Sequence, residues 1–197
     1  PDQELLGHVR DYQEADPHVR LYRTAANINF HCDAADVVGL LCLSKARAGG
    51  QSRIVSTGWL FNEAFAEDPS LIKTLFEPFK LDGRGERRPD QLPWSEIAPC
   101  AYADGQLKTF YHSEYMRSVA RHPGGAPTEA QLRLLDLYDS RGADPDVALE
   151  MWLEPGDMQF LSNHSIAHAR TAYSDDPELP RHLLRLWLSL APQTRLA

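Results

Sequence analysis

Short strand-like runs at the two ends of the chain, separated by a helical middle, most constrain how this sequence can fold. Most apolar and alternating runs of strand length occur before residue 56 and after residue 146, whereas the helix-capping signals cluster in the middle. Strands grouped in this way do not suit a parallel α/β sheet, in which strands and helices alternate. The pattern predicts one mainly β (α+β) domain over 1–197, a β-sandwich or jelly roll with a helical and loop insert at about 56–142.

Local signals place the individual elements. Ser56 is expected to cap one helix and Asp68 a second, and Thr128 with Gln131 forms a capping box. Glycine-containing turns are predicted at 48–51, 104–105 and 154–157, a surface loop at 80–93, and a short helix followed by a loop within 1–20. Strands are predicted at 27–33, 37–43, 52–55, 98–102, 107–111, 147–153, 158–161, 163–169 and 181–190.

Charge and composition argue against several classes of partner. The net charge of -8 disfavours a nucleic-acid partner, and no run approaches the ~20 apolar residues of a membrane span. The three cysteines are odd in number and lack CxxC spacing, which indicates reduced thiols in a cytoplasmic protein. The polar start does not resemble a secretory signal, and without an initial Met we expect a processed, trimmed or partial chain.

A His-x-Asp tripeptide is the first sign of chemistry. On a strand, His31 and Asp33 project to the same side, and Cys32 points to the other, so only the first two can converge on one metal ion. Far downstream, His164 and His168 share a strand face, and either could be a third ligand. Two imidazoles and one carboxylate can hold one face of a ferrous ion and leave the opposite face open.

Two arginines near the end of the chain suggest a second ligand. Arg181 and Arg185 share the face of one predicted strand. A buried arginine is costly unless an anion pairs with it, and a bound dicarboxylate such as 2-oxoglutarate would supply that anion in bidentate geometry. The alternative is a structural ion pair with one of the 28 acidic residues.

Four segments, in order, resemble a known family. The runs FHCDAADVVGLLC, AGGQS, EPGDMQFLSNHSIAHARTAY and RHLLRLWL, within residues 20–192, look like the TauD/TfdA family of iron(II)- and 2-oxoglutarate-dependent dioxygenases. The resemblance implies a double-stranded β-helix (jelly roll), with Fe(II), 2-oxoglutarate as co-substrate, and O₂. It also implies that His31, Asp33 and His168 are the catalytic iron ligands.

The same resemblance assigns the co-substrate contacts. Ser52 and Arg185 match the positions that bind 2-oxoglutarate, with Arg185 as the principal arginine and Arg181 in support. Related halogenases lack the carboxylate ligand, so the presence of Asp33 favours hydroxylation, although desaturation or cyclisation would use the same ligands. Family members usually carry a longer segment ahead of the metal motif. In those members the segment packs on the barrel and helps to build the wall of the substrate pocket. Its absence here would be explained by a naturally short protein, by a fragment, or by another subunit of a homo-oligomer that supplies the wall.

The small-molecule substrate itself is not specified by the sequence. Each candidate substrate contact also has a structural interpretation. The two asparagines, Asn29 and Asn163, could cap local backbone, and Tyr111 could be part of the core. His164 could support His168, and Arg170 could form a structural ion pair. Alternative functions are a metal-dependent cupin-like hydrolase or isomerase, and a non-catalytic, degenerate jelly-roll binding module. The candidate substrate-binding residues are Asn29, Tyr111, Asn163, His164 and Arg170.

Overall fold

The computed structural model describes residues 6–14, 19–85, 88, 90–103 and 105–190. The helices are α1 (Thr57–Glu67), α2 (Ser113–Ser118) and α3 (Glu129–Gly142), with 3₁₀ helices at Leu21–Arg23, Pro69–Phe76 and Val119–Arg121. The strands are β1 (Gly7–Val9), β2 (Ile28–His31), β3 (Val37–Ser44), β4 (Ala48–Gly49), β5 (Ser52–Ser56), β6 (Phe79–Asp82), β7 (Trp94–Ile97), β8 (Cys100–Ala103), β9 (Gln106–Thr109), β10 (Leu149–Met151), β11 (Met158–Ser162), β12 (Ile166–Arg170), β13 (Tyr173–Ser174) and β14 (His182–Leu188).

The described chain forms two four-stranded antiparallel sheets, called sheet A and sheet B, and three two-stranded pairs, β4 with β13, β6 with β7 and β8 with β9. Sheet A has the order β1-β14-β3-β11, and sheet B has the order β10-β5-β12-β2. Because consecutive strands at each end of the chain fall in different sheets, residues far apart in sequence become neighbours. Strand β12, for example, lies between β5 and β2 and places His168 opposite His31. The predicted mainly β architecture with antiparallel sheets is therefore confirmed.

The alternation of side chains along the strands separates two apolar clusters. On sheet A, Val9, Cys42 and Leu183 pack together on the inner face. The larger cluster lies on sheet B, where Phe30 and Val55 pack with residues of α1 and α3. The middle of the chain thus covers one sheet, and the space between the two sheets is lined by apolar side chains together with the polar ones that the next section describes.

The capping predictions are confirmed by hydrogen bonds. Ser56 Oγ accepts from the amide of Trp59 at 3.2 Å at the start of α1. Thr128 Oγ1 accepts from the amide of Gln131, whose own side chain accepts from the Thr128 amide at 2.9 Å, which closes the capping box of α3. Asp68 caps a 3₁₀ helix rather than an α-helix, and its Oδ1 accepts from Ser70.

Several element predictions need correction. The predicted loop at 80–93 begins as strand β6, which pairs with β7, so the insert contains hairpins as well as helices. The strand predicted at 163–169 begins only at Ile166, because the chain first turns through Ser162–Ser165. No local pattern predicted β1, which exists through pairing with β14, where a helix had been expected. Residues 1–5 and 15–18 of that predicted helix and loop lie outside the described residues, as does Asp104 of the predicted turn.

The predicted turn at 48–51 has a clear physical reason for its glycines. Gly49 and Gly50 both have positive φ, 73° and 83°. A Cβ on Gly49 would lie 2.1 Å from the Ala172 carbonyl oxygen, and one on Gly50 would lie 3.0 Å from Arg181 Nε. Only glycine therefore lets this turn approach Arg181 so closely. None of the described helices is long and apolar enough to cross a membrane.

Candidate metal centre

His31, Asp33 and His168 meet at one edge of sheet B. His31 is the last residue of β2, His168 lies opposite it on β12, and Asp33 follows two residues beyond the strand. His31 Nε2 is 3.9 Å from Asp33 Oδ1, and His168 Nε2 is 3.7 Å from Asp33 Oδ2. One ligand atom from each residue lies within 4.8 Å of the others. Such a group can bind a metal ion placed between the three side chains after small side-chain rotations.

The hydrogen bond of His31 fixes how its ring can act. Its Nδ1 lies 2.9 Å from the carbonyl oxygen of Asn29. Because a carbonyl oxygen can only accept, Nδ1 is the donor in this contact, and Nε2 is the ring nitrogen left to face Asp33 and a metal ion. The Nδ1 of His168 is buried and has no hydrogen-bond partner among the described residues.

The charges of the three groups suit metal binding at neutral pH. Burial acts to raise the pKa of Asp33, but the neighbouring His31 and Arg185 outweigh it and lower that pKa to about 2. Burial, reinforced by His31, lowers the pKa of His168 to about 3. One anionic carboxylate and one neutral imidazole are the forms in which these side chains coordinate metals.

Two residues hold the segment that carries Asp33. Asn163 Oδ1 accepts from the Asp33 amide at 2.8 Å, and its Nδ2 donates to the carbonyl oxygens of Asp33 and Ala35. The indole Nε1 of Trp187 donates to Asp33 Oδ2 at 2.9 Å. The carboxylate is therefore fixed from both its backbone and its side chain.

Two cavities meet at the three candidate ligands. An outer cleft of about 310 Å³ has His31 and Asp33 in its wall, and a smaller inner cavity of about 60 Å³ between the sheets is lined by His31 and His168. Tyr22 and Arg185 line both cavities. A metal ion held here could accordingly contact one molecule from the inner side and another from the outer side.

The inner cavity collects the predicted co-substrate residues. Ser52, Arg170, Arg181 and Arg185 all line it. Arg181 is 5% exposed, and its buried Nη1 has no hydrogen-bond partner in the described part of the chain. Ser52 Oγ donates to Gln159 at 3.1 Å. The cavity thus offers a buried cation of the kind that an anionic ligand would satisfy.

Of the two predicted arginines, Arg185 is the one that lies against the metal-binding group. Its Nη1 is 3.6 Å from Asp33 Oδ2. Its guanidinium stacks between the rings of Tyr22 and Trp187, at 4.6 Å and 4.4 Å from their centroids. Stacking occupies the faces of the guanidinium and leaves the N–H donors on its edge for a ligand in the cavity that it lines.

Of the five predicted substrate-binding residues, only Arg170 lines one of the two cavities. Tyr111 is buried, and its hydroxyl donates to Asp139 at 2.6 Å in the core. Asn29 lines a separate surface pocket beside Arg53, and His164 bonds to Asp36 at 2.8 Å. Asn163 bonds to the Asp33 segment as described above, and Arg170 lines the inner cavity, where it donates to the carbonyl oxygens of Thr24 and Ala26.

The outer cleft contains residues that the sequence analysis did not select. Arg84, His112 and Tyr115 line it together with Trp187. Trp187 could have been selected, because it shares a strand face with Arg181 and Arg185. Arg84 gave no signal beyond its position between two glycines, since its approach to the cleft depends on the β6–β7 hairpin.

Cys32 behaves as expected from the strand pattern. Its side chain has no exposed surface and packs in the sheet B cluster. Burial raises the pKa of its thiol to about 12, so it stays protonated and is a poor metal ligand. Cys42 and Cys100 are also buried free thiols.

Solved structures of iron oxygenases share this fold. An asparagine oxygenase in complex with Fe(II), 2S,3S-3-hydroxyasparagine and succinate superposes with a TM-score of 0.69 at 16% identity, covering 94% of this chain and 56% of the other. The non-heme iron oxygenase OrfP, in complex with Fe and alpha-ketoglutaric acid, superposes with a TM-score of 0.64 at 16% identity, covering 95% and 57%.

Curated proteins with higher identity point to one family. FR-33289 synthase of Streptomyces rubellomurinus (strain ATCC 31215) is 32% identical over 190 residues, which cover 92% of this chain and 56% of that protein. A uridine-5'-phosphate dioxygenase of Streptomyces sp is 31% identical over 157 residues, covering 78% and 56%. The chain spans about half the length of these relatives. The family described as taurine catabolism dioxygenase TauD, TfdA matches residues 1–187, and the chain belongs to this family.

Proposed function

We propose that this chain carries the Fe(II) and 2-oxoglutarate site of a dioxygenase that hydroxylates a small molecule. The observation that carries the proposal is the placement of His31, Asp33 and His168 between two cavities, with the buried, unsatisfied Arg181 lining the inner one. Sheets A and B would be the two halves of a double-stranded β-helix. Residues 1–197 would form one domain, with the helical and hairpin insert at about 56–142 packed on sheet B.

His31, Asp33 and His168 fit an Fe(II) ion. Two imidazoles and one carboxylate match the donor set of non-haem iron oxygenases. A bound ferrous ion would supply activation of O₂ coupled to decarboxylation of 2-oxoglutarate to succinate and CO₂, with oxidation of a substrate C–H bond. Asn163 and Trp187 would keep the carboxylate in its coordinating position, as outer hydrogen-bond partners of metal ligands do.

The two arginines would bind opposite ends of 2-oxoglutarate. Arg185, 3.6 Å from Asp33, would meet the carboxylate nearest the metal. Arg181 lies four residues away, roughly 13 Å along an extended strand. Its unsatisfied Nη1 and the nearby Ser52 support a role at the distal carboxylate. This proposal exchanges the roles that the family resemblance implied, in which Arg185 was the principal arginine for that carboxylate.

The outer cleft would receive the substrate. Its wall contains His31 and Asp33, so a substrate bound there would exclude water from the oxidised carbon. We propose a small molecule rather than a nucleic acid, consistent with the net charge of -8. The three buried free thiols suit a reducing, cytoplasmic compartment.

An anaerobic titration with Fe(II) and 2-oxoglutarate tests the proposal. A weak visible charge-transfer band is expected when the 2-oxo acid chelates the bound iron. The His168→Ala variant should lose the band, and Arg181→Gln should require at least tenfold more 2-oxoglutarate to develop it. The control is His182→Gln, since His182 pairs with His8 on the outer face of sheet A, away from both cavities.

The outcomes separate the competing functions. A band that depends on His168 and Arg181 supports the dioxygenase. Metal binding without a band would contradict it and favour a hydrolase or isomerase that needs no 2-oxo acid. Neither metal binding nor a band in folded protein would favour a non-catalytic binding module.

A further inference from the structure

We infer that Arg84 binds an anionic group of the substrate, so that the substrate class is an oxyanion-bearing small molecule oxidised at a carbon away from that group. The inference rests on the proposed function, because it takes the outer cleft as the substrate site. Arg84 lies at the turn of the β6–β7 hairpin and lines the same cleft as His31 and Asp33. The oxyanion could be a carboxylate, phosphate, phosphonate or sulfonate.

The backbone at Arg84 is held in an unusual conformation. Its φ is +49°, in the left-handed region that non-glycine residues rarely adopt. The Arg84 amide donates to Asp82 Oδ1 at 2.9 Å, which anchors the turn on a fully buried carboxylate. A strained position that is fixed by its surroundings is a recurring feature of ligand-binding sites.

The side chain of Arg84 belongs to a stack that leads to the metal centre. Its guanidinium lies 4.7 Å from the centroid of Tyr115, and Tyr115 stacks on His112 at 3.7 Å with an angle of 14°. His112 in turn lies 4.8 Å from the ring of His31. These contacts fix the distance between Arg84 and the metal centre, which would select substrates of matching length.

Stacking occupies the face of the guanidinium but not its edge. Arg84 Nε is buried without a hydrogen-bond partner, and within the described residues Arg84 has no carboxylate within 4.0 Å. Glu114 lies near enough to interact electrostatically, yet it is outside the lining of the cleft. A planar fork of donors that has no carboxylate partner in the described part of the chain is suited to bidentate binding of an oxyanion.

The charges of the cleft also favour an anion. Its charged lining comprises Arg20, Arg84 and Arg185 against Asp33 and Asp82. Asp82 is engaged by Arg121, and Asp33 belongs to the metal-binding group. Asp33 also lies 3.6 Å from Arg185, so neither acid of the lining neutralises the Arg84 side chain, and an anionic substrate would pair with it.

The test uses methylphosphonate and its neutral ester, dimethyl methylphosphonate, as matched probes. Each is added to the anaerobic protein loaded with Fe(II) and saturating 2-oxoglutarate, and the ³¹P relaxation enhancement by the paramagnetic iron is measured. We expect at least tenfold greater enhancement for methylphosphonate than for the ester. Arg84→Gln should reduce the enhancement by methylphosphonate at least tenfold, to about that of the ester. Arg84→Lys should retain part of the difference between the probes. The control Arg47→Gln, at an exposed position, should retain all of it.

Each result supports or overturns the inference. If methylphosphonate binds equally to Arg84→Gln and to the unmodified chain while the charge-transfer band is intact, the role of Arg84 is overturned. That result would indicate that methylphosphonate binds iron directly, which does not require Arg84. Equal enhancement by the two probes also overturns it. Loss of the charge-transfer band from the unmodified chain overturns the proposed function and this inference together.

Discussion

The indole of Trp187 donates a hydrogen bond to Oδ2 of Asp33 at 2.9 Å, although 154 residues separate them in the sequence. The same carboxylate oxygen is 3.7 Å from His168 Nε2, so the donor lies beside the proposed metal position. The hydrogen bond orients the carboxylate and stabilises its ionised form. Strand β14 thereby contributes to the metal centre without providing a ligand.

Replacing Trp187 with Phe should weaken metal binding. The ring would still pack, but Asp33 would lose its indole donor, and partners of this kind typically contribute 10–100-fold to metal affinity. Competition titrations with Fe(II) or Co(II) under anaerobic conditions would measure the change. Trp152→Phe is the control, since Trp152 is half exposed and outside the lining of both cavities. Equal affinity in Trp187→Phe and the unmodified chain would contradict this role.

Replacing Asn163 with Ala should reduce stability and metal affinity together. Asn163 has no exposed surface and forms three hydrogen bonds with the backbone of Asp33 and Ala35. Each buried backbone group left unsatisfied costs about 1–3 kcal/mol, so we expect a loss of roughly 3 kcal/mol in the free energy of unfolding. Urea denaturation would measure it, with exposed Asn62→Ala in α1 as control. A loss no larger than that of the control would contradict the stabilising role, and an unchanged affinity for Co(II) in the folded variant would contradict the positioning role.

Much of the metal-binding group could be predicted from the sequence because its signals are local. The spacing of His31 and Asp33 and the shared strand face of Arg181 and Arg185 follow from the two-residue period of a strand. The two prior candidates for a third ligand, His164 and His168, could not be separated on strand periodicity alone. The structure separates them, because the chain turns before Ile166 and directs His164 towards Asp36.

The remaining features depend on pairings that local patterns do not encode. Strand β1 is three residues long and exists through its pairing with β14. From the sequence, Tyr111 is a candidate for the substrate pocket, but its hydroxyl donates to Asp139 of α3 and its side chain lies in the core. Arg84 reaches the outer cleft only because Asp82 is anchored by Arg121 from the middle of the chain.

The buried carboxylate of Asp82 should make stability depend on acid pH. Burial acts to raise its pKa, but hydrogen bonds from Arg121, the Arg84 amide and Ser118 outweigh it and hold the pKa well below its usual range. A depressed pKa in the folded state stabilises the protein above the unfolded value of about 3.9, and this contribution is lost as the pH falls further.

The Asp82→Asn variant isolates that contribution. Near pH 7 we expect it to lower the free energy of unfolding by about 3 kcal/mol, since one partner of a buried ion pair is removed. The difference from the unmodified chain should narrow as the pH falls from 5 to 3, when Asp82 begins to protonate in the unfolded state. Urea midpoints measured across this range provide the check. A difference that stays constant with pH would show that the carboxylate charge does not contribute.

The outer face of sheet A is apolar and exposed. Leu43, Met158, Phe160 and Leu188 are 45%, 65%, 59% and 37% exposed, and the pairings of β3 with β11 and β14 place the last three on one side of the sheet. Contiguous apolar surfaces of this kind are unusual on isolated proteins. A second copy of the 197-residue chain would present the same apolar face, and pairing of the two faces would remove both from water.

We therefore expect the 197-residue chain to self-associate through the outer face of sheet A. Sedimentation velocity should show a concentration-dependent rise in the sedimentation coefficient. Met158→Lys, alone or with Leu43→Lys, should shift association to at least tenfold higher concentration, because the lysine charges would have to be buried or left facing each other. Phe65→Lys on α1 is the matched control, since Phe65 is 55% exposed but lies away from this sheet. Association that Phe65→Lys weakens as much as Met158→Lys would place the contact elsewhere, and a monomer at all concentrations would refute the expectation.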